Sequence, residues 1–231
     1  MKNIKKCTSA PVFSRLKSKL GLISACSKGA DMSERIEPKL RQYYEIKQKL
    51  GRGAYGVVWK AKDKRTSETL AIKKCFEAFR NDDDAQRTYR EIMYLLEINK
   101  SSDHENIVRL IDVMESNCGK DIYLVFDYMQ SDLHAVIRSN ILHYAHQRYI
   151  IYQLLKALKY IHSAGLIHRD IKPANLLINS DCHVKLCDFG LCRSIVDCDG
   201  RHMTSYVATR WYRPPEVLLG STKYTEGMDI W

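Results

Sequence analysis

The first half of the chain alternates short apolar runs with polar or glycine-rich turns. Five runs have the length and composition of strands, and they span residues 44–50, 57–61, 69–74, 107–111 and 122–126. Apolar residues recur at helical spacing over two longer segments, residues 84–99 and 144–162. The pattern therefore predicts an α+β protein with a strand-rich first part and a more helical second part.

Residues 166–190 hold the most informative polar side chains. They read as loop, strand, turn, strand and loop, which brings Asp170, Asn175 and Asp188 towards one point. Two carboxylates and an amide suit a hard divalent cation that bridges phosphate oxygens, with Asp188 and Asn175 as ligands. Asp170 would accept the proton of an attacking hydroxyl, and Lys172 would steady the transferred phosphoryl group.

Three glycines between the first two predicted strands follow a Gly-x-Gly-x-x-Gly pattern. Glycine lets a hairpin backbone approach phosphate groups closely, because a Cβ atom there would hold the phosphates away. The pattern also occurs in dinucleotide-binding turns, but those continue as a helix, whereas this chain continues as a strand. The predicted cofactor-binding residues of this segment are Leu50, Gly51, Arg52, Gly53, Ala54, Tyr55, Gly56, Val57 and Val58.

One lysine of the third predicted strand is a candidate phosphate ligand. Lys73 is predicted to point inward and to hold the α- and β-phosphates, whereas Lys74 is predicted to face solvent. Glu91 lies at the edge of the apolar stripe of the first helix, where it would pair with Lys73. Such a pair makes the position of that helix a natural switch.

The string from residue 166 to 190, with the glycine pattern and Lys73, resembles the catalytic and metal-binding loops of protein kinases. The full string at this spacing argues against the alternative that its Asp and Asn residues only form turns. The resemblance implies a bilobal fold, with residues 43–129 as a small β-rich lobe and hinge and residues 130–231 as part of a helical lobe. A basic extension over residues 1–40 would precede them. It also implies ATP, Mg²⁺ and transfer of the γ-phosphate to Ser or Thr of protein substrates.

The resemblance also implies where the rest of the nucleotide would bind. Backbone groups of Asp127 and Met129 would take the adenine edge, and Phe126 would narrow the pocket behind it. The remaining predicted nucleotide contacts are Ala71, Asp132 and Leu177, and Thr209 joins Asp170, Lys172, Lys73 and Glu91 in the catalytic set.

A Thr-x-Tyr pair followed by Val-Ala-Thr-Arg-Trp-Tyr-Arg resembles the activation lip of mitogen-activated protein kinases. Thr204 and Tyr206 are therefore predicted phosphorylation sites, modified by an upstream kinase or by autophosphorylation. Arginine side chains would gather the phosphate groups and order the loop. The set predicted for Thr204 is Arg90, Arg169 and Arg193, and the set for Tyr206 is Arg210 and Arg213.

Within that family the chain looks most like the atypical extracellular-signal-regulated kinases of the seven/eight type, which implies substrates with Ser/Thr-Pro sites. The segments that carry this likeness span residues 84–93, 122–126 and 184–190. The chain departs from the family pattern at Pro214, Cys192 and Ser205, where Ala, Ala and an acidic residue are usual. None of these departures removes a catalytic atom.

The last three residues, Asp229 to Trp231, resemble the start of the central helix of a kinase large lobe. Natural truncation, a partial gene model and a fragment are all compatible with an end at this point. In a chain that ends here we expect one face of the second helix to lose much of its packing partner, namely Ile150, Leu154, Leu158 and Ile161. A catalytically weak scaffold or decoy is therefore the alternative to an active kinase.

Composition adds few further limits. The net charge of +10 is concentrated in residues 1–30, which hold seven Lys or Arg and no acid, so the remainder is mildly basic and does not predict nucleic-acid binding. No apolar run reaches the roughly 20 residues of a membrane helix. The eight cysteines lack a repeated Cys-x-x-Cys, which favours free thiols in a reducing cytosol over a zinc site.

Residues 1–30 also contain serines and apolar residues at roughly helical spacing. A disordered basic tail, upstream sequence that is not translated because Met32 is the start, and a mitochondrial transit peptide are the alternatives. We favour the first two, and we predict a cytoplasmic or nuclear protein.

Overall fold

The computed structural model describes residues 36–53, 56–101, 103–195, 209–223 and 225–231. The basic extension, Ala54 and Tyr55 of the glycine segment, and the predicted phosphorylation sites Thr204 and Tyr206 lie outside the described residues. Within the described ranges, no helix has the length and apolar content needed to cross a bilayer.

The first part of the chain is a five-stranded antiparallel sheet that carries one long helix. A short helix, α1 (Pro38–Tyr43), leads into β1 (Tyr44–Gly53), β2 (Gly56–Asp63), β3 (Thr69–Cys75), helix α2 (Asp82–Ser101), β4 (Leu110–Glu115) and β5 (Ile122–Asp127). The strand order is β1-β2-β3-β5-β4. One face packs against α1 through residues such as Leu40, Ile72 and Val125, and the other packs against α2. Apolar side chains on both faces explain why β5 is buried along most of its length.

The second part has short strands and helices around α4. Its elements are β6 (Ser131–Asp132), α3 (Leu133–Arg138), α4 (Tyr144–Ser163), β7 (Leu166–Ile167), a 3₁₀ turn (Pro173–Asn175), β8 (Leu176–Ile178), β9 (Val184–Leu186), a 3₁₀ turn (Phe189–Leu191), β10 (Arg193–Ser194), a 3₁₀ turn (Arg210–Tyr212), α5 (Pro215–Leu218) and a 3₁₀ turn (Glu226–Asp229). Strands β6, β8 and β9 form one small sheet, and β7 pairs with β10. The predicted α+β fold, with a strand-rich first lobe and a helical second part, is confirmed.

The face of α4 that we expected to be left without a partner is covered. Ile150, Leu158 and Ile161 are buried in the main apolar core, and Leu154 packs against it. That core includes Val184 and Leu186 of β9, so the strand that leads to the candidate metal site closes over this face. The exposed apolar side chains of α4 lie elsewhere on the helix, at Tyr144, Tyr149, Ile151, Tyr152 and Leu155.

The strand predicted over residues 107–111 is wrong in its position. β4 begins at Leu110, and Ile107 forms an isolated parallel bridge to Leu186 of β9. The Val108 backbone N–H donates to the Leu186 carbonyl at 2.9 Å. This apolar run therefore ties the first lobe to the second before it enters the five-stranded sheet.

The prediction that Lys74 faces solvent is also wrong. Lys74 is only 3% exposed, and its ammonium lies 3.0 Å from the Asp121 carboxylate, on the face of β3 that Leu70 and Ile72 share. Alternation does place Lys73 and Lys74 on opposite faces, but helix α1 and the Tyr123 ring cover the second face. Burial lowers the pKa of Lys74, and the hydrogen bond and charge of Asp121 more than restore it, so the ammonium stays charged.

We expect Asp121→Ala to lower the free energy of unfolding by about 3 kcal/mol, because it leaves a buried ammonium without its counter-charge. Chemical denaturation monitored by circular dichroism measures this change. Glu45→Ala is the control, since it removes an exposed ion pair with Lys47 and should leave the midpoint nearly unchanged. Equal effects of the two substitutions would contradict the structural role of the buried pair.

Candidate active site

An ion pair joins the sheet to helix α2. The Lys73 ammonium on β3 donates to both carboxylate oxygens of Glu91 on α2, at 2.8 Å each. Burial by itself lowers the pKa of Lys73, but the negative charges of Glu91 and Asp188 raise it by more, so it lies above its ordinary value. The structure therefore brings the two predicted residues together with the lysine charged.

Asp188 lies between the two lobes in a strained turn. It precedes a 3₁₀ turn and has a φ of 63°, in the left-handed region that few non-glycine residues adopt. Burial alone would raise the pKa of its carboxyl group, but the surrounding cations lower it by more. These cations are Lys73, Arg87 and Lys172. The Asp188 carboxylate therefore stays charged at neutral pH and well below it. A carboxylate must be charged in this way to bind a hard cation.

Asp170 is held by four hydrogen-bond donors. Its Oδ2 accepts from the Lys172 ammonium at 2.7 Å and from Asn175 Nδ2 at 3.0 Å. Its Oδ1 accepts from the Thr209 hydroxyl and from the Thr209 backbone N–H, both at 3.0 Å. Lys172 also donates to the Thr209 hydroxyl at 2.8 Å, which closes a ring around the carboxylate. Asp170, Lys172, Asn175 and Thr209 thus form one contact cluster.

Backbone contacts place Asn175 beside the Asp188 turn. The Cys187 backbone N–H donates to the Asn175 carbonyl at 3.0 Å, and a His168 ring nitrogen lies 3.0 Å from the Cys187 carbonyl. The two loops predicted to converge are therefore linked one residue before Asp188. An antiparallel pairing of β8 with β9 produces this approach.

The glycine segment borders an open space. Gly53 and Gly56 line a cavity of about 200 Å³ together with Lys73, Glu91 and Asp188. A Cβ atom added to Gly51 or Gly53 would meet no described residue within 4 Å, so packing within the described ranges does not explain glycine there. At Gly56 a Cβ would lie 2.0 Å from the Lys74 carbonyl, which makes that glycine a packing requirement. Open backbone beside an ammonium and an ionised carboxylate fits a metal-bound polyphosphate.

The other predicted nucleotide contacts have different surroundings. Leu50 and Arg52 are exposed, Val57 is fully buried, and Val58 lines the cavity. Ala71, Asp127 and Leu177 are half-buried, and Met129 is buried. The Asp132 carboxylate accepts from the Ala135 backbone N–H at 2.9 Å and so caps α3. Asp127 pairs with Arg109 and Lys185, at 3.1 and 2.7 Å.

Comparison with known proteins identifies the family of this chain. The protein kinase domain family matches residues 44–231. The chain belongs to the protein kinase domain family. It is 58% identical over 204 residues to extracellular signal-regulated kinase 2 of Dictyostelium discoideum, covering 86% of this chain and 54% of that protein.

Two further relatives are also signal-regulated or mitogen-activated kinases by name. Mitogen-activated protein kinase 15 of Xenopus laevis is 55% identical, over 85% of this chain and 34% of that protein. Extracellular signal-regulated kinase 7 of Drosophila melanogaster is 47% identical, over 86% of this chain and 22% of that protein. The matched part of this chain therefore spans about half, or less, of the length of these three relatives.

Asp229, which the sequence predicts only as the start of a helix, anchors the predicted catalytic loop of this kinase domain. The buried Asp229 carboxylate accepts from the backbone N–H groups of His168 and Arg169, both at 2.8 Å. A His162 ring nitrogen lies 2.9 Å from the same carboxylate. Asp229 follows these backbone groups by some sixty residues, so local spacing carries no signal for the contact.

Three arginines of the kinase domain lie close together. Burial lowers the pKa of Arg90, and the charges of Arg193 and Arg169 lower it further. The Nε atom of Arg193 is buried and has no hydrogen-bond partner in the described part of the chain. These are the three arginines predicted to gather a phosphate on Thr204, and an anion there would offset their mutual repulsion.

We expect Asp229→Asn to loosen the predicted catalytic loop. The two carboxylate oxygens of Asp229 each accept a backbone N–H, whereas the Asn side chain has one oxygen acceptor and an NH₂ group that can only donate. The free energy of unfolding should fall by about 1–3 kcal/mol. Hydrogen exchange should accelerate at the His168 and Arg169 amides. Asp181→Asn is the control, since that exposed carboxylate accepts a single backbone N–H, from His183. Unchanged exchange at both amides in Asp229→Asn would contradict the anchoring role.

Proposed function

We propose that this kinase domain transfers the γ-phosphate of ATP to Ser or Thr of protein substrates. The observation that carries the proposal is the meeting of two clusters at Asp188. Asp188 lines one cavity with Lys73 and Glu91, and the backbone N–H of Cys187, the residue before it, donates to the carbonyl of Asn175, whose amide binds Asp170. The groups proposed to bind phosphate and the group proposed to accept the proton are therefore linked through Asp188 and its neighbour.

Each side chain has a defined part in this reaction. Lys73 would bind the phosphates, and the Glu91 carboxylate would orient the Lys73 ammonium towards them. Asp188 and Asn175 would hold Mg²⁺, which neutralises charge on the phosphate oxygens when it is bound. Asp170 would take the proton of the substrate hydroxyl, because Thr209, Lys172 and Asn175 fix its carboxylate in place. The Lys172 ammonium lies beside that proton acceptor, where it would counter the charge of the moving phosphoryl group.

We further propose the finer assignment, a proline-directed kinase of the extracellular-signal-regulated seven/eight type in a mitogen-activated cascade. The relatives named mitogen-activated protein kinase 15 and extracellular signal-regulated kinase 7 support it. Every predicted catalytic side chain has a polar partner in the described part, which favours catalysis over the scaffold alternative. Residues 43–129 and 130–231 are the proposed lobes, and cytoplasm or nucleus is the proposed location.

Lys73→Arg and Asp188→Ala should each lower phosphoryl transfer on the order of 10²-fold or more. An Arg side chain does not present a compact ammonium at the Glu91 carboxylate, and Ala removes the metal ligand. Transfer of radiolabelled phosphate from ATP to a Ser-Pro peptide measures both. Lys159→Arg, on the exposed side of α4, is the control and should keep full activity. Wild-type rates in Asp188→Ala would show that the metal site is wrongly assigned, and transfer to Ser without a following Pro would contradict the proline-directed subtype.

Phosphate on Thr204 and Tyr206 should accompany high activity, because Arg169 and Arg193 repel the charge of Arg90 and a phosphate group would offset that repulsion. Mass spectrometry of protein from its own cells should find both residues modified. Thr204→Ala should lower activity, whereas Ser205→Ala, the residue between them, should not. An active kinase with both sites unmodified would overturn this switch.

A further inference from the structure

Gln153 is a buried polar side chain of α4 with every amide atom in use. It is only 3% exposed. Its Oε1 accepts from Asn106 Nδ2 at 3.0 Å and from the Val184 backbone N–H at 2.9 Å. Its Nε2 donates to the Cys182 carbonyl at 2.8 Å and to the Tyr149 carbonyl at 3.4 Å. One side chain therefore contacts three separate parts of the chain.

The Asn106 partner is fixed in one orientation. The Val184 N–H is a donor, so Gln153 must present its oxygen there, and Asn106 must present its amide nitrogen. That nitrogen also donates to the Val184 carbonyl at 3.0 Å. The Asn106 oxygen is then left buried without a partner among the described residues, although the residue is only 1% exposed. An unmet buried acceptor costs stability, so stability alone does not account for this pair.

The segments that Gln153 joins lead to the two halves of the proposed active site. Asn106 lies in the loop after α2, the helix that carries Glu91. Val184 begins β9, the strand that ends two residues before Asp188. The Leu186 backbone N–H donates to the Asn106 carbonyl at 2.9 Å, so the loop and the strand run together along α4.

Two outer contacts continue this attachment along α4. Lys156 and Glu105 form an ion pair, and the His104 and Tyr160 rings lie 4.9 Å apart. The side chains of this ion pair are 38% and 60% exposed, so solvent weakens it. The buried amide of Gln153 is therefore the rigid part of the attachment.

We propose that Gln153 is a positioning residue for phosphoryl transfer. Its amide fixes the loop after α2 and the start of β9 against α4, and so sets the Lys73–Glu91 pair relative to Asp188. This inference rests on the proposed kinase function for its effect on rate. The coupling of α2 to β9 through the Gln153 amide is a structural claim, and it can be tested without an activity assay.

The test compares Gln153→Glu and Gln153→Met with Ile150→Val, one turn earlier on α4 and equally buried. Gln153→Glu places an acceptor against the Cys182 carbonyl, and Gln153→Met removes all four hydrogen bonds with little change in volume. All assays are run at temperatures well below the unfolding transition of each variant. If the Gln153 variants lose more stability than Ile150→Val, then Ile150→Ala serves as the control with a matching loss. Lys156→Met, which removes the exposed ion pair and the contact of its ammonium with the Tyr152 ring, is the second control.

We expect both Gln153 variants to lower kcat on the order of 10-fold or more while KM for ATP stays within about 2-fold, because misplaced catalytic groups slow the chemical step. Hydrogen exchange should rise together in the second half of α2 and in β9. The controls should show neither change. A fall in kcat in the stability-matched Ile150 variant equal to that in Gln153→Met would overturn the proposal.

The two proposals fail in distinguishable ways. A wild-type protein without phosphoryl transfer overturns the proposed function, and hydrogen exchange then decides the coupling by itself. Joint loss of protection in α2 and β9, confined to the Gln153 variants, supports the coupling. Unchanged protection in those variants overturns it.

Discussion

A single lysine–glutamate contact between a strand and a helix sets the geometry on which the site depends. Helix α2 reaches the sheet through apolar side chains such as Ile92 and Leu95, which allow sliding and rotation. The Lys73–Glu91 pair adds a directional contact, because both carboxylate oxygens accept from one ammonium. Asp188 adds its charge to the same ammonium from the other lobe. The position of α2 and the charge of the cavity are therefore linked.

The second half of the site is organised around carboxylates that accept backbone N–H groups. Asp229 fixes the backbone at His168 and Arg169. The next residue, Asp170, is therefore already oriented towards the groups that donate hydrogen bonds to it. Asp170 then holds Thr209, which brings the start of the 3₁₀ turn at Arg210–Tyr212 to the predicted catalytic residues. Buried carboxylates that each accept several donors are rigid, because moving one breaks several charge-assisted bonds.

Sequence predicted those parts of this kinase domain that depend on neighbours along the chain. The strand–turn–strand of residues 176–186 and the long helices follow from period and turn chemistry, and both are present. The strand expected at residues 107–111 moved because Ile107 and Val108 bind β9, nearly eighty residues later. Lys74 was misplaced because its exposure depends on α1, a separate element. Asp229 and Gln153 act through contacts across the fold, which a single sequence does not encode as a local pattern.

The burial of Lys74 has a consequence for how β3 aligns with its neighbours. Two consecutive lysines would allow the strand to shift by one residue and still present an ammonium to each face. In the shifted alignment Leu70 and Ile72 would face the cavity, and Lys73 would lie beneath α1. The apolar positions oppose that shift, and Asp121 opposes it too, because it receives an ammonium at the position of Lys74. Lys74, which lies away from the cavity, thus helps to fix the alignment in which Lys73 faces it.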